Sequence, residues 1–146
     1  MKAMLALVLA VAVTGATAAF GAASSASRMT LTAGNSRYGR VLFDGNGRAL
    51  YAFTRDRRGG KSRCYGDCAR AWPVYYRSGT LTAARGVKRA LVGTVRRNDG
   101  RRQVTYNGRP LYYYVGDTRR GQISCQNVAE FGGTWLVVSP SGRLVR

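Results

Sequence analysis

The chain has 146 residues, of which 24 are Lys or Arg, six are Asp or Glu and none is His, for a formal net charge of +18. That length suits one domain and excludes a multidomain machine. Without histidine, Ser-His-Asp and Cys-His catalysis and His-ligated zinc are excluded within this chain, and the charge makes polyanions the default partners.

In chain order, Met1-Lys2 is followed by an apolar run from Ala3 to Val13 and then by small residues, Ala16-Thr17-Ala18 and Gly21-Ala22-Ala23. This pattern predicts a signal peptide over 1–23, cleaved after Ala18 or Ala23. The apolar run is too short for the ~20 residues that cross a hydrocarbon core, so no transmembrane span is expected after cleavage. No cysteine near the cleavage region offers a lipid attachment point. The expected location is secreted or periplasmic, at the cell envelope, which removes intracellular nucleic acid as a partner. Residues 24–36 are small and polar and are expected to form a flexible lead-in to a single domain over 37–146.

Beyond Ser36 come short segments rich in Val, Leu, Tyr, Phe and Thr, punctuated by Gly-containing turns. They predict a mainly β fold of antiparallel sheets with few short helices. Asp44-Gly45-Asn46-Gly47 separates Arg40–Phe43 from Arg48–Thr54, Asn98-Asp99-Gly100 joins Leu91–Arg96 to Arg101–Tyr106, and Asn107-Gly108 leads on to Arg109–Val115. Each marks a hairpin, because Gly and Asn tolerate the positive φ of tight turns.

Two stretches, about 39–77 and 101–139, are copies of one pattern. Gly47-Arg48-Ala49-Leu50-Tyr51-Ala52-Phe53 leads to Asp56, and Gly108-Arg109-Pro110-Leu111-Tyr112-Tyr113-Tyr114 leads to Asp117. Eight residues after each Asp comes a cysteine, Cys64 and Cys125, with Arg57-Arg58-Gly59 and Arg119-Arg120-Gly121 between, and each copy then reaches a tryptophan, Trp72 and Trp135. The expectation is two sheet units, each too small to bury its apolar face alone, packed about an approximate two-fold axis. Tyr51, Phe53, Trp72, Tyr112, Tyr114 and Trp135 would share the core. Alternation along a strand leaves Tyr113 and Ala52 pointing outward.

The pairs Tyr51-x-Phe53-x-x-Asp56 and Tyr112-x-Tyr114-x-x-Asp117, with Cys64-x-x-x-Cys68 and Trp72-Pro73 between them, resemble the bacterial secreted-repeat family, many of whose members are lipoproteins, that carries a Yx(FWY)xxD motif. The resemblance implies an envelope or extracellular location and a doubled repeat, and no particular reaction.

Gly66 permits a turn tight enough to join Cys64 to Cys68, and the rival pairing joins the repeat-equivalent Cys64 and Cys125 across a far longer loop. The resemblance favours the local pair, which leaves Cys125 as a buried thiol, an intermolecular bridge or a redox handle. Asp56 and Asp117 each end a strand before an Arg-rich turn. They are read as structural acceptors, with a general acid and base pair as the alternative. No metal site or cofactor is expected. Arg57, Arg58, Arg63, Arg96, Arg97, Arg101, Arg102, Arg119 and Arg120 lack an acidic counterweight and form the candidate anion-binding surface, since guanidinium forks suit phosphate and carboxylate oxygens. The expected role is an exported, non-enzymatic basic protein bound to anionic envelope polymers or phospholipid headgroups. The alternatives are an accessory to envelope redox chemistry through Cys125 or a disulfide, and a hydrolase using Asp56 and Asp117. Exposed edge strands admit a homodimer.

Overall fold

The computed structural model describes residues 28–146; the signal peptide expected over 1–23 lies outside the described residues. Short β-prone runs broken by Gly and Asn form nine strands among those residues: β1 (Arg28–Ser36), β2 (Gly39–Asp44), β3 (Tyr51–Phe53), β4 (Thr80–Ala83), β5 (Val92–Arg96), β6 (Arg102–Tyr106), β7 (Arg109–Pro110), β8 (Val128–Glu130) and β9 (Gly133–Val137). One short helix, α1 (Asp67–Ala71), and a single 3₁₀ turn at Arg89–Leu91 accompany them. The strands make three three-stranded sheets, ordered β2-β1-β4, β3-β9-β8 and β5-β6-β7. The fold is mainly β, as its residue pattern predicts.

The turns explain the sheets. Asn107 and Gly108 both have positive φ, 50° and 71°, the backbone of a two-residue hairpin that matches strand twist. They set β6 against β7 with Tyr106 opposite Arg109. Asn98-Asp99-Gly100 joins β5 to β6, which pair antiparallel from Val92–Tyr106 to Arg96–Arg102. In the first copy Asp44 Oδ1 accepts the backbone N–H groups of Asn46 and Arg48, both at 2.9 Å, which shapes the Asp44–Gly47 turn.

Two features differ from the sequence expectation. Residues 28–36, expected to be flexible, form β1, because Leu31 is fully buried and the strand hydrogen-bonds on both sides. Its pairing with β4 is parallel, within otherwise antiparallel sheets. β4 lies in the connector between the two copies, so the connector reaches back to cover the edge of β1 rather than crossing the surface freely.

The two copies meet along one line. Tyr51 and Tyr112 exchange backbone bonds, N–H to O at 2.8 and 2.9 Å. Tyr51 also sits opposite Val137, and Tyr112 opposite Val74, so each copy's motif strand is paired inside the other copy. Side chains alternate into two cores. Tyr51, Phe53, Trp72, Tyr112 and Trp135 fill one, with Tyr114 half-buried at its margin. Leu31, Leu42, Leu50, Ala52, Tyr106, Leu111 and Val138 fill the other, with Tyr113 against it. The alternation is as expected, but Ala52 and Tyr113 do not point to solvent, because a second core covers that face.

Candidate functional site

The motif residues form a clasp on the line where the copies meet. The Tyr51 hydroxyl donates to Asp117 Oδ2 at 2.6 Å, and the Tyr112 hydroxyl donates to Asp56 Oδ2 at 2.5 Å. Each tyrosine therefore bonds the aspartate of the other copy. The remaining carboxylate oxygens face their own loops: Asp56 Oδ1 accepts Arg63 N–H at 2.7 Å and Asp117 Oδ1 accepts Ser124 N–H at 2.9 Å. Both aspartates are 2% exposed. They sit in two separate turns, each committed to a tyrosine and a loop amide, rather than facing one cleft.

Burial dominates the titration of Tyr51, Asp56 and Tyr112. Desolvation holds Asp56 above its ordinary value of 3.8, against the lowering effect of Tyr112, the Arg63 amide and the Arg97 and Arg63 charges. Desolvation, with the Asp117 bond and charge, raises Tyr51, and desolvation with the Asp56 charge raises Tyr112. Both hydroxyls stay protonated donors at neutral pH.

Behind the clasp the tryptophans stack, Trp72 on Trp135 with ring centres 4.0 Å apart and planes 2° apart. Phe53 lies on the far face of this stack, 4.2 Å from Trp135, and Tyr114 is 4.9 Å from Trp72. Trp72 Nε1 donates to Glu130 at 2.9 Å. The aromatic residues of the motif thus make the interior of the junction between copies.

Cys64 and Cys68 form the disulfide, which ties the start of α1 to the preceding loop. Cys125 is a free thiol, half-buried against the aromatic core. The odd count follows from the duplication, since Ala129 stands in the second copy where the first has Cys68.

The arginines divide. Arg57, Arg58, Arg63, Arg96, Arg101, Arg102, Arg119 and Arg120 are exposed. Arg97 is not: at 3% exposure it donates to Gln103 Oε1 and to the Cys64 carbonyl, and packs 4.2 Å from the Tyr65 ring centre. Its place as a surface anion contact is therefore corrected; its guanidinium holds the β5–β6 turn against the disulfide loop. The hairpin brings Arg96 opposite Arg102, with Arg101 stacked 3.3 Å over Tyr76. Arg58 and Arg120 occupy equivalent places as struts. Arg58 donates to the Asn107 carbonyl and side chain, and Arg120 to the Asn46 carbonyl. Among the described residues one ion pair forms, Arg70 with Asp67, so no arginine of the candidate surface is neutralised by a carboxylate partner.

Two cationic residues outside the expected set, Arg109 and Arg146, bear on this region, since Arg109 is held below the ordinary arginine value by burial and by the charges of Arg58 and Arg146. Aligning the copies could have found the first of these, because Arg109 matches Arg48 while Thr105 replaces Asp44.

Among the described residues no helix is long and apolar enough to cross a membrane. The model of a family described as a secreted repeat of unknown function matches residues 32–75 and 93–139. No curated protein and no solved structure matches the chain.

Proposed function

The chain belongs to this secreted-repeat family of unknown function, and from that premise we propose that it is a non-catalytic protein of the cell envelope, bound to anionic wall polymers or phospholipid headgroups through its exposed arginines. The observation that carries the reading is the unbalanced charge. Eight arginines of the candidate surface are exposed, and none shares an ion pair with a carboxylate. Exposed like charges repel one another, and a polyanion relieves that repulsion while its oxygens engage the guanidinium forks. The motif aspartates, the one acidic pair shared by both copies, are engaged in holding the copies together and leave the arginines as the outward chemistry.

The test is retention of the exported protein on vesicles of anionic phospholipid, and on purified wall polymer, across a sodium chloride series. Retention should fall as salt rises, because the screening length shortens from about 30 Å at 0.01 M to about 3 Å at 1 M. Retention indifferent to salt would remove the electrostatic reading.

A further inference from the structure

A cavity of about 490 Å³ opens where the Asp44–Gly47 turn, the start of β1 and the segment after α1 come together. That volume suits a small molecule. Asp44, Asn46, Tyr75, Ser78 and Tyr113 line it, together with Arg28. The duplication does not account for this place. Aligned copy to copy, Asp44 matches Thr105, Tyr75 matches Val138 and Tyr113 matches Ala52. Residues that both copies share make the clasp and the ring stack, whereas these three side chains occur once each and converge on one cavity.

The three hold one another in place. Asp44 Oδ1 is fixed by the turn amides, and Oδ2 accepts the Tyr113 hydroxyl at 2.9 Å. The Tyr75 ring meets the Tyr113 ring edge-on, 5.3 Å between centres, and Arg48 covers the Tyr113 ring at 4.1 Å. One group is left over. Tyr75 is 4% exposed, yet its hydroxyl has no hydrogen-bond partner among the described residues. Its ring belongs to the second core, and its oxygen is not sealed away as Arg97 Nε and Arg109 Nε are, so the hydroxyl is the end that reaches the cavity. Burial and the Asp44 charge raise Tyr75 above the ordinary tyrosine value, which keeps it a proton donor at neutral pH. Beside it, the exposed Asn46 amide and Ser78 hydroxyl are also uncommitted among the described residues.

A largely buried donor without an acceptor is costly, and a ligand oxygen in the cavity relieves that cost. The lining carries one cation, Arg28, and one carboxylate, Asp44, in a chain with 24 basic and six acidic residues. Local charge therefore cancels, which sets the cavity apart from the arginine surface and favours an uncharged ligand. Hydroxyls and an amide both give and accept hydrogen bonds, and tyrosine rings receive C–H groups. A sugar ring offers both, hydroxyls at its edge and C–H groups on its faces. We propose that this cavity binds a small uncharged saccharide, whose hydroxyls are held by the Tyr75 and Ser78 hydroxyls and the Asn46 amide against a wall fixed by Asp44 and Tyr113. This is a second binding chemistry, independent of the anionic reading above.

The test titrates glucose, galactose, mannose, N-acetylglucosamine and glucuronic acid into the exported protein, read by saturation-transfer NMR. It is run in about 1 M sodium chloride, where a screening length of about 3 Å suppresses the arginine surface. Saturable binding of at least one uncharged sugar is expected. Tyr75→Phe keeps the ring in the core and removes only the hydroxyl, and should weaken binding about two- to tenfold, as loss of a single hydrogen bond implies. Asn46→Ala should weaken it as well. Tyr38→Phe, which deletes the same atom from a tyrosine outside the cavity, should leave it unaltered. Near-ultraviolet circular dichroism checks the fold, and should Tyr75→Phe fail to fold, Ser78→Ala at an exposed position gives the same readout. No saturable binding, undiminished binding in Tyr75→Phe, or equal loss in Tyr75→Phe and Tyr38→Phe overturns the site. Preference for glucuronic acid over glucose overturns the uncharged class. Salt-dependent retention on anionic vesicles is decided separately from all of these outcomes.

Discussion

Tyr51 and Tyr112 explain why the motif has its spacing. A residue two positions on shares the face of its strand, so Phe53 and Tyr114 turn to the same core as the tyrosines. Three further on, the chain has rounded its turn and places an aspartate where the other copy's tyrosine reaches it. The spacing was legible as a structural signature, but the crossing of the bonds was not, because a motif repeated in sequence looks self-contained within each copy. Tyr51→Phe and Tyr112→Phe each remove a donor from a buried carboxylate, and each should cost about 1–3 kcal/mol of stability, read from urea midpoints. A pH dependence follows from Asp56. Its folded value is raised above the ordinary 3.8 by burial, so the folded protein holds that proton more tightly than the unfolded chain. The stability this group contributes is full below 3.8 and is lost as pH rises through the folded value. Acidification across that window should therefore stabilise the protein through Asp56, and Asp56→Asn should flatten that part of a stability–pH curve. An unchanged slope in the variant would assign it to other groups.

At the scale of elements, the hairpins announced by Asn-Gly and Asp-Gly were readable because their chemistry is local. The β1 strand was not, since Met29 and Leu31 are its only large apolar residues, set among Thr, Ala, Gly, Asn and Ser, and only pairing with β2 and β4 gives the segment its structure. The β8–β9 hairpin was hidden for a different reason. Its turn is Phe131-Gly132, with φ of 53° and 76°, and phenylalanine is a poor advertisement for a left-handed turn. L-residues other than Gly, Asn and Asp pay about 1–2 kcal/mol in that conformation. Phe131 is 40% exposed, so it recovers little by packing. Phe131→Gly should therefore raise stability by up to about 1 kcal/mol after the greater entropy of an unfolded glycine is offset. A shift of the urea midpoint to higher concentration at constant m-value is the expected signature. The site residues followed the same division: exposed arginines were visible by count, but Arg97 was misplaced because nothing in an arginine run says which member turns inward to cap a carbonyl.

For the whole molecule, the duplication implies that neither copy is an independent domain. The strand bearing Tyr51 pairs with β9, the Val74 segment pairs at Tyr112, and Phe53, Trp135 and Trp72 alternate between copies in one continuous stack. A half chain would expose that stack and leave the Tyr51 and Tyr112 backbone groups without each other. Small two- and three-stranded units seldom hold together in water without a covered face. Two fragments, 28–86 and 87–146, divide the chain at the exposed Arg85-Gly86 turn and leave β1 with β4 and β5 with β6. Each fragment alone should lack the near-ultraviolet circular dichroism of ordered tryptophan, and an equimolar mixture should regain it. The mixture's signal should also depend on the crossed bonds, so that a fragment carrying Tyr51→Phe complements more weakly. If either fragment orders its tryptophan alone, the copies are separable units and the clasp is an embellishment on them. If only the mixture does so, the reciprocal tyrosine–aspartate bonds and the shared ring stack are what make two short repeats one fold, and the basic loops are displayed from a junction that neither repeat builds by itself.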